Sequence, residues 1–524
     1  MEVSNKIEIN EGFAQALDLM EKSGRHLFIT GKAGTGKSTL LEYFRARTKK
    51  KIAVLAPTGV AALNVRGQTI HSFFRFHPNI TAEQARRKRL RPDQQKLYKN
   101  LETVVIDEVS MTRADLMDCI DVALRHYRGR SREPFGGVQM IFIGDLYQLP
   151  PVVSGKEERE LFRTEYASPY FFSAKIISAI EMEFVELEKV YRQKDEAFIA
   201  LLNKIRNNSV EEEDMVLLNK RYSPKFRKND ASGYVTLTPT NAAADGVNYE
   251  KLAGLYGKPR SYYGEMLGDF EDKNLPTALR LEVKKGAQVM LLNNDAKGRW
   301  VNGSIGTISD IKKGKYDDPS DIISVKLAGG EKEVEVRPYT WEMHEYFFDK
   351  SRGLIDTKVV GSFTQYPLRL AWAITIHKSQ GKTFDNVIID IGRGAFAHGQ
   401  VYVALSRCRS FNGLIFRKPI LKGHIWMDRN IVRFLTRFQY DQSDAALPFE
   451  KKLAIIRAAI SAKKPLAITY LKPNDEKSRR VVDPHDVGEM EYQGKTYIGL
   501  AAYCRMRRDE RVFRVDRILE LATE

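Results

Sequence analysis

A glycine-rich segment, Gly31–Ser38, constrains the fold of this chain more than any other feature of its sequence. The apolar run Leu27–Thr30 before it reads as a short buried strand, and Ser38–Leu41 opens a helix. Glycines in such a turn let successive backbone N–H groups point inward at phosphate oxygens. Lys37 can then reach the β- and γ-phosphates, and the Ser38 hydroxyl can bind Mg²⁺. The pattern predicts a P-loop for ATP and Mg²⁺, with a chance match in a surface turn as the alternative.

An acidic pair ends another apolar run. Asp107 and Glu108 follow Val104–Ile106, and in open α/β sheets ligands bind at the carboxyl ends of the strands. Asp107 is expected to hold Mg²⁺, directly or through water, and Glu108 to polarise the attacking water. Gln148, in the loop after the run Met140–Ile143, suits a sensor of the γ-phosphate. The alternatives are a helix N-cap for the acidic pair and a plain turn residue for Gln148.

The charge balance of the chain is basic. Among 524 residues, 84 Lys and Arg stand against 67 Asp and Glu, which gives a net charge of +17. A folded basic protein with an ATP site points to a polyanionic partner, and nucleic acid is the expected one. The alternative is that the excess charge only aids solubility.

The cysteines and the apolar runs predict a cellular compartment. Cys119, Cys408 and Cys504 lie too far apart for a metal site or a disulfide framework. No apolar run approaches the ~18 residues of a membrane span, and Met1–Glu8 lacks the apolar core of a signal peptide. We therefore expect a soluble cytoplasmic protein that makes no membrane contact.

Apolar strands alternate with helix-like segments in two blocks, which predicts an α/β fold class. Residues 1–175 read as one ATPase domain with a small, basic, helical insertion at about 66–100. Residues 176–430 read as a second α/β domain that starts near the strand at Phe184. At about 260–355 it is interrupted by a β-rich insert, whose strand-like pieces are separated by glycine and Asp-Asp-Pro turns.

Nine segments in sequence order resemble the superfamily-one helicases of the Pif type, relatives of the RecD-like motors. The resemblance extends from about residue 10 to about residue 430. The segments are Gly31–Thr39, Ala56–Ala62, Thr69–Phe74, Asp107–Met111, Pro134–Pro151, Tyr191–Gln193, Thr238–Asn241, Ala373–Gly381 and Val403–Arg407. The resemblance implies two RecA-like P-loop domains with ATP between them, and a small β-barrel insert in the second. It also implies a monomeric 5′-3′ DNA helicase that translocates on single-stranded DNA and unwinds duplex or forked DNA.

The same resemblance assigns roles at the nucleotide. Arg192 and Arg407 would reach across from the second domain as arginine fingers, since guanidinium groups neutralise charge on a transferring phosphoryl group. A surface or ion-pair arginine is the alternative for each. Tyr191 would stack on adenine, whereas the family's adenine-reading glutamine is replaced by Phe13, with Gln15 nearby. The expected catalytic residues are Lys37, Asp107, Glu108, Gln148, Arg192 and Arg407, and the expected nucleotide contacts are Gly31, Lys32, Ala33, Gly34, Thr35, Gly36, Lys37, Ser38, Thr39, Tyr191 and Gln15.

DNA contacts are expected at strand-to-helix turns of both domains. Thr58 and Gly59 in the first domain offer hydroxyl and backbone N–H donors to a phosphate, and Thr240 and Asn241 do so in the second. Phe74 is expected in the core. His71 and Phe73 bring aromatic surface to the groove of the first domain. The resemblance implies that His377, Lys378 and Ser379 complete the strand track.

The carboxyl-terminal residues 450–524 resemble a WYL domain, a small β-rich module, after a polar linker predicted at 431–449. The resemblance rests on the segments Ile468–Tyr470, Arg480–Pro484, Tyr497–Leu500 and Phe513–Ile518. The naming triad is degraded to Thr496–Ile498. Arg505 and Arg507, interleaved with aromatic residues, would suit an accessory platform for single-stranded DNA. The alternative is a solvated basic face on a domain that only stabilises the motor.

Two other function classes are compatible with parts of this pattern. One is an ATP-gated nucleic-acid-binding regulator, in which the tail senses a ligand. Gln148 and the paired arginines Arg192 and Arg407 favour a motor over a regulator, because a regulator needs no paired fingers. The other is a subunit of a nuclease complex, although the sequence shows no nuclease-like carboxylate cluster.

Overall fold

The structure is a computed structural model that describes residues 9–153, 155–193, 195–224, 226, 233–270, 272, 275–314, 320–330, 332–392, 394, 397–492 and 494–523. Met1–Glu8 and the turn predicted at Asp317–Pro319 lie outside them. The chain divides into two compact units, Met1–Leu202 with Val210–Trp426, and Asn203–Ser209 with Met427–Glu524. The three cysteines are free and buried. Among the described residues, no helix combines the length and the apolar character that crossing a membrane requires.

The first unit opens with a six-stranded parallel sheet flanked by helices. Its strand order is β3-β2-β4-β5-β1-β6, and the pairings along it are parallel. The strands are apolar and buried because helices cover both faces of the sheet, and α1 and α2 pack on one of them through Phe13, Leu40 and Phe44. The elements are α1 (Glu11–Lys22), β1 (His26–Gly31), α2 (Lys37–Arg47), β2 (Ile52–Ala56), α3 (Gly59–Asn64), β3 (Gln68–Thr69), α4 (Ile70–Phe74), α5 (Ala82–Arg87), α6 (Pro92–Asn100), β4 (Thr103–Ile106), α7 (Ala114–Arg128), β5 (Gln139–Ile143), α8 (Lys156–Glu165) and β6 (Met182–Leu187).

The edge strand β6 belongs to this first sheet, which corrects the predicted domain boundary at residue 175. It pairs in parallel with β1 from His26 opposite Met182 to Gly31 opposite Leu187. Phe184, which was expected to start the second domain, is buried against Phe28 of β1. A strand's sheet is decided by tertiary pairing, which a local apolar pattern does not specify.

The chain then forms a second parallel sheet, interrupted by a β-rich insert. The second sheet has the order β18-β7-β19-β20, with parallel pairings. Its elements before the insert are α9 (Glu196–Arg206), α10 (Glu212–Asn219), β7 (Val235–Thr238) and α11 (Asn241–Ala253). Those after the insert are β18 (Ala373–Thr375), β19 (Val387–Ile389), α12 (Gln400–Ser406) and β20 (Leu414–Phe416). These two parallel sheets confirm the predicted α/β class.

The insert is antiparallel and extends beyond residue 355, where it was predicted to end. Its main sheet has the order β14-β13-β12-β11-β17, and smaller sheets join β15-β16-β9 and β10-β8. A buried apolar cluster that includes Trp300 and Val325 fills it. The strands are β8 (Arg260–Tyr263), β9 (Glu265–Gly268), β10 (Arg280–Val283), β11 (Gln288–Leu291), β12 (Ile305–Lys312), β13 (Ile322–Leu327), β14 (Glu333–Val336), β15 (Tyr339–Asp349), β16 (Leu354–Gln365) and β17 (Leu368–Leu370).

The second unit is a five-stranded antiparallel sheet packed against helices. The strand order is β24-β23-β22-β21-β25, and Ile456, Leu500 and Phe513 lie in its core. Its elements are α13 (Arg429–Ala446), α14 (Phe449–Ala462), β21 (Leu466–Leu471), β22 (Lys477–Tyr492), β23 (Lys495–Cys504), β24 (Asp509–Arg514) and β25 (Ile518–Thr523). The unit also includes Asn203–Ser209, where the Asn474 amide donates to the Asn207 carbonyl at 3.2 Å.

The linker predicted at 431–449 is wrong, because most of it is helix α13. Ile431, Val432 and Leu435 form its buried apolar face. Two of the polar residues that suggested a linker, Gln439 and Ser443, are buried and hydrogen-bonded, whereas Asp441 and Gln442 are exposed. Gln439 donates to the Asp475 carboxylate at 2.8 Å, and the Ser443 hydroxyl donates to the Leu519 carbonyl at 2.7 Å. The buried polar side chains of α13 therefore form internal hydrogen bonds and do not indicate a flexible segment.

A tyrosine of the insert completes the edge of the first sheet. Strand β2 pairs with β3 only at Leu55 and Ala56, so the preceding residue Val54 has no strand partner on that side. The Tyr346 hydroxyl, from β15, accepts a hydrogen bond from the Val54 N–H at 3.0 Å. Its ring meets Phe73 edge to face with centroids 5.8 Å apart, and only 6% of the residue is exposed.

We predict that Tyr346→Phe destabilises strand β2 locally. The substitution leaves the buried Val54 N–H without its acceptor, which costs about 1–3 kcal/mol. Hydrogen–deuterium exchange of peptides that cover 52–56 should therefore accelerate. Tyr256→Phe is the matched control, because Tyr256 is fully exposed, and unchanged exchange in Tyr346→Phe would contradict the assignment.

Candidate functional site

A cleft of about 1030 Å³ lies where the loops after β1, β4 and β5 face loops that precede or belong to the second sheet. The parallel order of the first sheet produces this arrangement, since it sets the carboxyl ends of those strands side by side. The predicted residues that line the cleft are Ala33, Gly34, Thr35, Gly36, Lys37, Ser38, Thr39, Glu108, Gln148, Tyr191, Arg192 and Arg407. The cleft therefore brings together predicted residues that lie far apart in the chain, from Ala33 to Arg407.

The P-loop is bent by glycines and packed against the segment that carries Arg192. Gly34 has a φ of +85°, and a Cβ built on it would lie 2.4 Å from the Cβ of Arg192. The backbone N–H of Tyr191 donates to the Gly34 carbonyl at 2.9 Å. Lys37 Nζ donates to the carbonyls of Gly31 and Lys32 at 2.7 and 3.0 Å. A side chain at position 34 would push the arginine away from the loop.

The acidic pair lies in poorly solvated surroundings. Asp107 is 8% exposed, and burial raises its pKa to about 7, helped by the neighbouring charge of Glu108. Burial also raises the pKa of Glu108, while the charges of Lys37 and Arg407 lower it. Two carboxylates perturbed by burial and facing cations in a cleft are typical of a functional site.

The two second-domain arginines approach each other inside the cleft. Arg407 is 1% exposed, and its Nε and Nη2 donate to the Val403 carbonyl and the Ser406 hydroxyl at 3.0 and 2.9 Å. Burial and the charge of Arg192 lower the pKa of Arg407 to about 9. Neither guanidinium forms an ion pair within the described part of the chain. An anion such as a triphosphate would therefore relieve their mutual repulsion.

The sequence analysis assigned no role to several residues in or beside the cleft. Asp195, Thr383, Arg409 and Ser410 line it, and Gln380 and Tyr402 contact residues that line it. The Gln380 side-chain amide donates to the Glu108 carboxylate at 3.0 Å, and the Tyr402 hydroxyl accepts from the Ala33 N–H at 3.1 Å. Both lie in or beside motifs that were recognised, so the signal was present. Which side chain of a motif faces another domain, however, is set by tertiary packing. The predicted sensor Gln148 is 6% exposed and donates to Asp145 at 3.1 Å.

Gln15 is not placed in the cleft, which corrects the prediction that it contacts the nucleotide. It is exposed on α1, whereas Phe13 lines the cleft. Residues two positions apart point about 200° apart around a helix, so only one of them can face the nucleotide. An apolar ring at this position offers stacking but no hydrogen bond to read a base edge.

Predicted DNA contacts of the first domain meet in a groove of about 850 Å³. It is lined by Thr58, Gly59 and His71, with Arg75 beside them. The Thr58 oxygen caps α3 by accepting from the Ala61 N–H at 3.2 Å, which leaves its hydroxyl proton free to donate. Glu345 of the insert also lines the groove and pairs with Arg75.

In the second domain the predicted DNA residues lie near another cavity. Asn241 and Lys378 line this cavity of about 410 Å³, and Thr240 caps α11 with its side-chain oxygen. Burial lowers the pKa of His377, so its ring is neutral near pH 7 and would offer an N–H rather than a charge. The cavity and the groove supply one candidate strand track on each domain.

Two predicted DNA contacts are corrected by burial. Phe73 is 4% exposed and packs against Phe74, Tyr98 and Tyr346, so it is a core residue, like Phe74. Ser379 is fully buried, and its hydroxyl donates to the Ile376 carbonyl at 2.6 Å. Both side chains stabilise the fold and do not present a surface to a strand.

In the second unit the two predicted arginines differ. Arg505 forms a bidentate ion pair with Asp483, in which Nε and Nη2 donate to the two carboxylate oxygens at 2.9 and 2.6 Å. Arg507 is exposed in the turn between β23 and β24. Arg507 is therefore the better placed of the two to meet a phosphate from solution.

Comparison with known protein families gives three matches along the chain. The family described as PIF1-like helicase matches residues 8–215, the UvrD-like helicase C-terminal domain matches 370–410, and the WYL domain matches 451–523. These matches confirm the resemblances read from the sequence, including that of the carboxyl-terminal tail.

Solved structures of Pif1 helicases share the fold. Pif1 from Bacteroides sp in complex with ADP-AlF4 is 34% identical, with 83% of this chain and 98% of that chain covered, at a TM-score of 0.75. Bacteroides Pif1 bound to ssDNA is 35% identical over 82% and 97% of the two chains, at a TM-score of 0.59. The RecA-like core predicted from the sequence is therefore confirmed.

Similar sequences carry the same family name. The ATP-dependent DNA helicase PIF1 of Danio rerio is 37% identical over 399 residues, which cover 75% of this chain but only 58% of that protein. The chain thus spans about three fifths of the length of that relative. The ATP-dependent DNA helicase Pif1 of Bdellovibrio bacteriovorus is 33% identical over 419 residues, 78% of this chain and 88% of that protein. Because this alignment covers 88% of the Bdellovibrio protein at 33% identity, the chain belongs to the Pif1 family of ATP-dependent DNA helicases.

Proposed function

We propose that this chain is an ATP-driven helicase that translocates 5′ to 3′ along single-stranded DNA and unwinds duplex DNA. The observation that carries the proposal is a single cleft that combines the P-loop and Glu108 with Arg192 and Arg407. A pocket built from both domains makes hydrolysis and domain movement interdependent, which a motor requires. The 5′-3′ direction rests on family resemblance.

Residues of the first domain would bind the triphosphate. Backbone N–H groups of the P-loop and the helix α2 amino terminus favour phosphate oxygens, and Lys37 exchanges its two carbonyl partners for the β- and γ-phosphates. Glu108 would accept a proton from the attacking water. Arg192 and Arg407 would neutralise charge on the transferring phosphoryl group.

The residues present fit a magnesium ion. Ser38 and Asp107 supply the hard oxygen donors that Mg²⁺ prefers, and the raised pKa of Asp107 marks a carboxylate that a nearby cation would stabilise. Within the described residues, no group of three or more His, Cys, Asp or Glu side chains could hold a metal. When bound, such an ion neutralises the charge of the β- and γ-phosphates.

DNA would lie along the tracks of the two domains. The groove at Thr58 and His71 and the cavity at Asn241 and Lys378 belong to different RecA-like domains. Closure of the nucleotide cleft would change the distance between these tracks and so advance the strand. A solved Bacteroides Pif1 structure is described as bound to ssDNA, and another solved structure is described as the structural basis for DNA unwinding at forked dsDNA by two coordinating Pif1 helicases. Both descriptions support these partners for the present chain.

We predict that Lys37→Ala lowers kcat for ATP hydrolysis at least about 100-fold, because it removes the cation that meets the developing phosphate charge. Unwinding should be lost, while affinity for single-stranded DNA stays within about twofold because Lys37 does not line the groove. Steady-state ATPase assays and fluorescence anisotropy measure the two effects. Lys22→Ala, at an exposed position on α1, is the matched control. An active Lys37→Ala enzyme would exclude the assigned pocket.

We predict unwinding of a duplex that carries a 5′ single-stranded overhang and little unwinding of the same duplex with a 3′ overhang. The physical reason is that a translocating motor enters the duplex from one end of its loading strand only. Strand separation with fluorescent duplexes of identical sequence measures this directly. Preference for the 3′ overhang would reject the proposed direction, and equal rates on both substrates would reject directional movement.

We further propose that the WYL domain adds an accessory contact to single-stranded DNA through Arg507. If Arg507 meets a phosphate, Arg507→Gln should reduce the slope of log affinity against log salt by about 0.7. Anisotropy titrations across a salt series measure the slope. Arg159→Gln, an exposed arginine on α8, is the control. An unchanged slope would leave the domain with a stabilising role.

A further inference from the structure

The short turn at residues 377–383 borders both candidate sites. It follows β18, and its first residues, His377–Ser379, form one turn of 3₁₀ helix. Lys378 lines the cavity of the second-domain strand track. Gly381 and Thr383 line the nucleotide cleft. One turn of the second domain therefore has its beginning at the DNA track and its end at the nucleotide.

Gln380, in the middle of this turn, reaches the carboxylate that would activate water. Its amide donates to Glu108 at 3.0 Å across the cleft. Glu108 has a φ of +50°, a conformation that is uncommon for residues other than glycine, and its side chain leaves the end of a buried strand. The direction of this carboxylate therefore depends on the groups that it contacts. Gln380 is a contact of this kind from the second domain.

Internal hydrogen bonds make the turn stiff. The Ser379 hydroxyl donates to the Ile376 carbonyl at 2.6 Å, the Lys378 N–H donates to the Thr375 hydroxyl at 3.2 Å, and the Lys382 N–H donates to the Ser379 carbonyl at 3.0 Å. A displacement imposed on Lys378 would therefore move Gln380 with it.

The same turn also contacts a predicted arginine finger. The Lys382 carbonyl accepts from Nη1 of Arg407 at 3.4 Å. The turn thus touches the water-activating carboxylate with one residue and the arginine with another. Along this turn, only Ser379 and Gln380 lie between Lys378 in the cavity and Gly381 in the nucleotide cleft.

We propose that Gln380 is a positioning residue that orients Glu108 and through which bound single-stranded DNA stimulates ATP hydrolysis. The inference rests on the proposed function, because it requires that the track at Lys378 holds DNA. The strand fixes the turn, the turn places the Gln380 amide, and the amide sets the direction of the Glu108 carboxylate.

The test compares kcat and KM for ATP in the unsubstituted chain, Gln380→Met and Gln380→Glu, each with and without oligothymidylate. Gln380→Met keeps the length of the side chain but has no hydrogen-bond donor. Gln380→Glu keeps the shape of the side chain but places a second carboxylate against Glu108.

Both substitutions should lower the ratio of kcat with DNA to kcat without DNA by at least about tenfold, which is the scale expected for a partly misplaced general base. KM for ATP and affinity for the oligonucleotide should stay within about twofold. Gln95→Glu, at an exposed position on α6, is the matched control.

The outcomes separate the two proposals. A wild-type rate that does not respond to DNA contradicts the motor itself and the coupling with it. A wild type that is stimulated, with equal stimulation of Gln380→Met, overturns the coupling through Gln380 alone. A fall of both rates by the same factor also overturns it, since Gln380 would then support the site without conveying the presence of DNA. Thermal unfolding of each variant, followed by circular dichroism, verifies that the fold is retained.

Discussion

The packing of Arg192 against Gly34 is the contact on which the nucleotide cleft depends. The arginine can approach the P-loop because position 34 has no side chain, and the N–H of Tyr191 fixes the approach by donating to the Gly34 carbonyl. This contact joins the segment after the first sheet's edge strand to the phosphate-binding turn. It brings the Arg192 guanidinium into the same cleft as Glu108.

The cleft holds basic and acidic side chains close together, and their charges determine which ligands it can bind. Lys37, Arg192 and Arg407 face Asp107 and Glu108 in surroundings where burial shifts the pKa values of acids up and of arginines down. Unlike charges that share a poorly solvated space interact far more strongly than they would in water. Such a site is destabilised when empty of an anion and favours one that bridges the cations. Its electrostatics therefore agree with family membership, which rests on sequence identity.

Much of the fold could be predicted because its signals are local. Buried parallel strands are continuous apolar runs, so the sequence predicts β1, β2, β4 and β5, together with the P-loop and the acidic pair at strand ends.

The sheet to which β6 belongs could not be predicted, because only its pairing with β1 determines it. Helix α13 was missed because its buried polar residues find partners far along the chain. The sequence predicts Phe73 as a DNA contact because Tyr346, which packs against it, is contributed by a separate insert. Gln380 was part of a recognised motif, but its contact with Glu108 exists only across two domains.

The second unit is assembled from two stretches of chain. Asn203–Ser209 belongs to it, and its contacts with Asn207 place a piece from the middle of the sequence beside the β21–β22 turn. A gene fragment that starts after α12 would therefore encode a module that lacks part of its own surface. A swap of this tail between related motors would therefore have to exchange Asn203–Ser209 as well as the residues after Trp426.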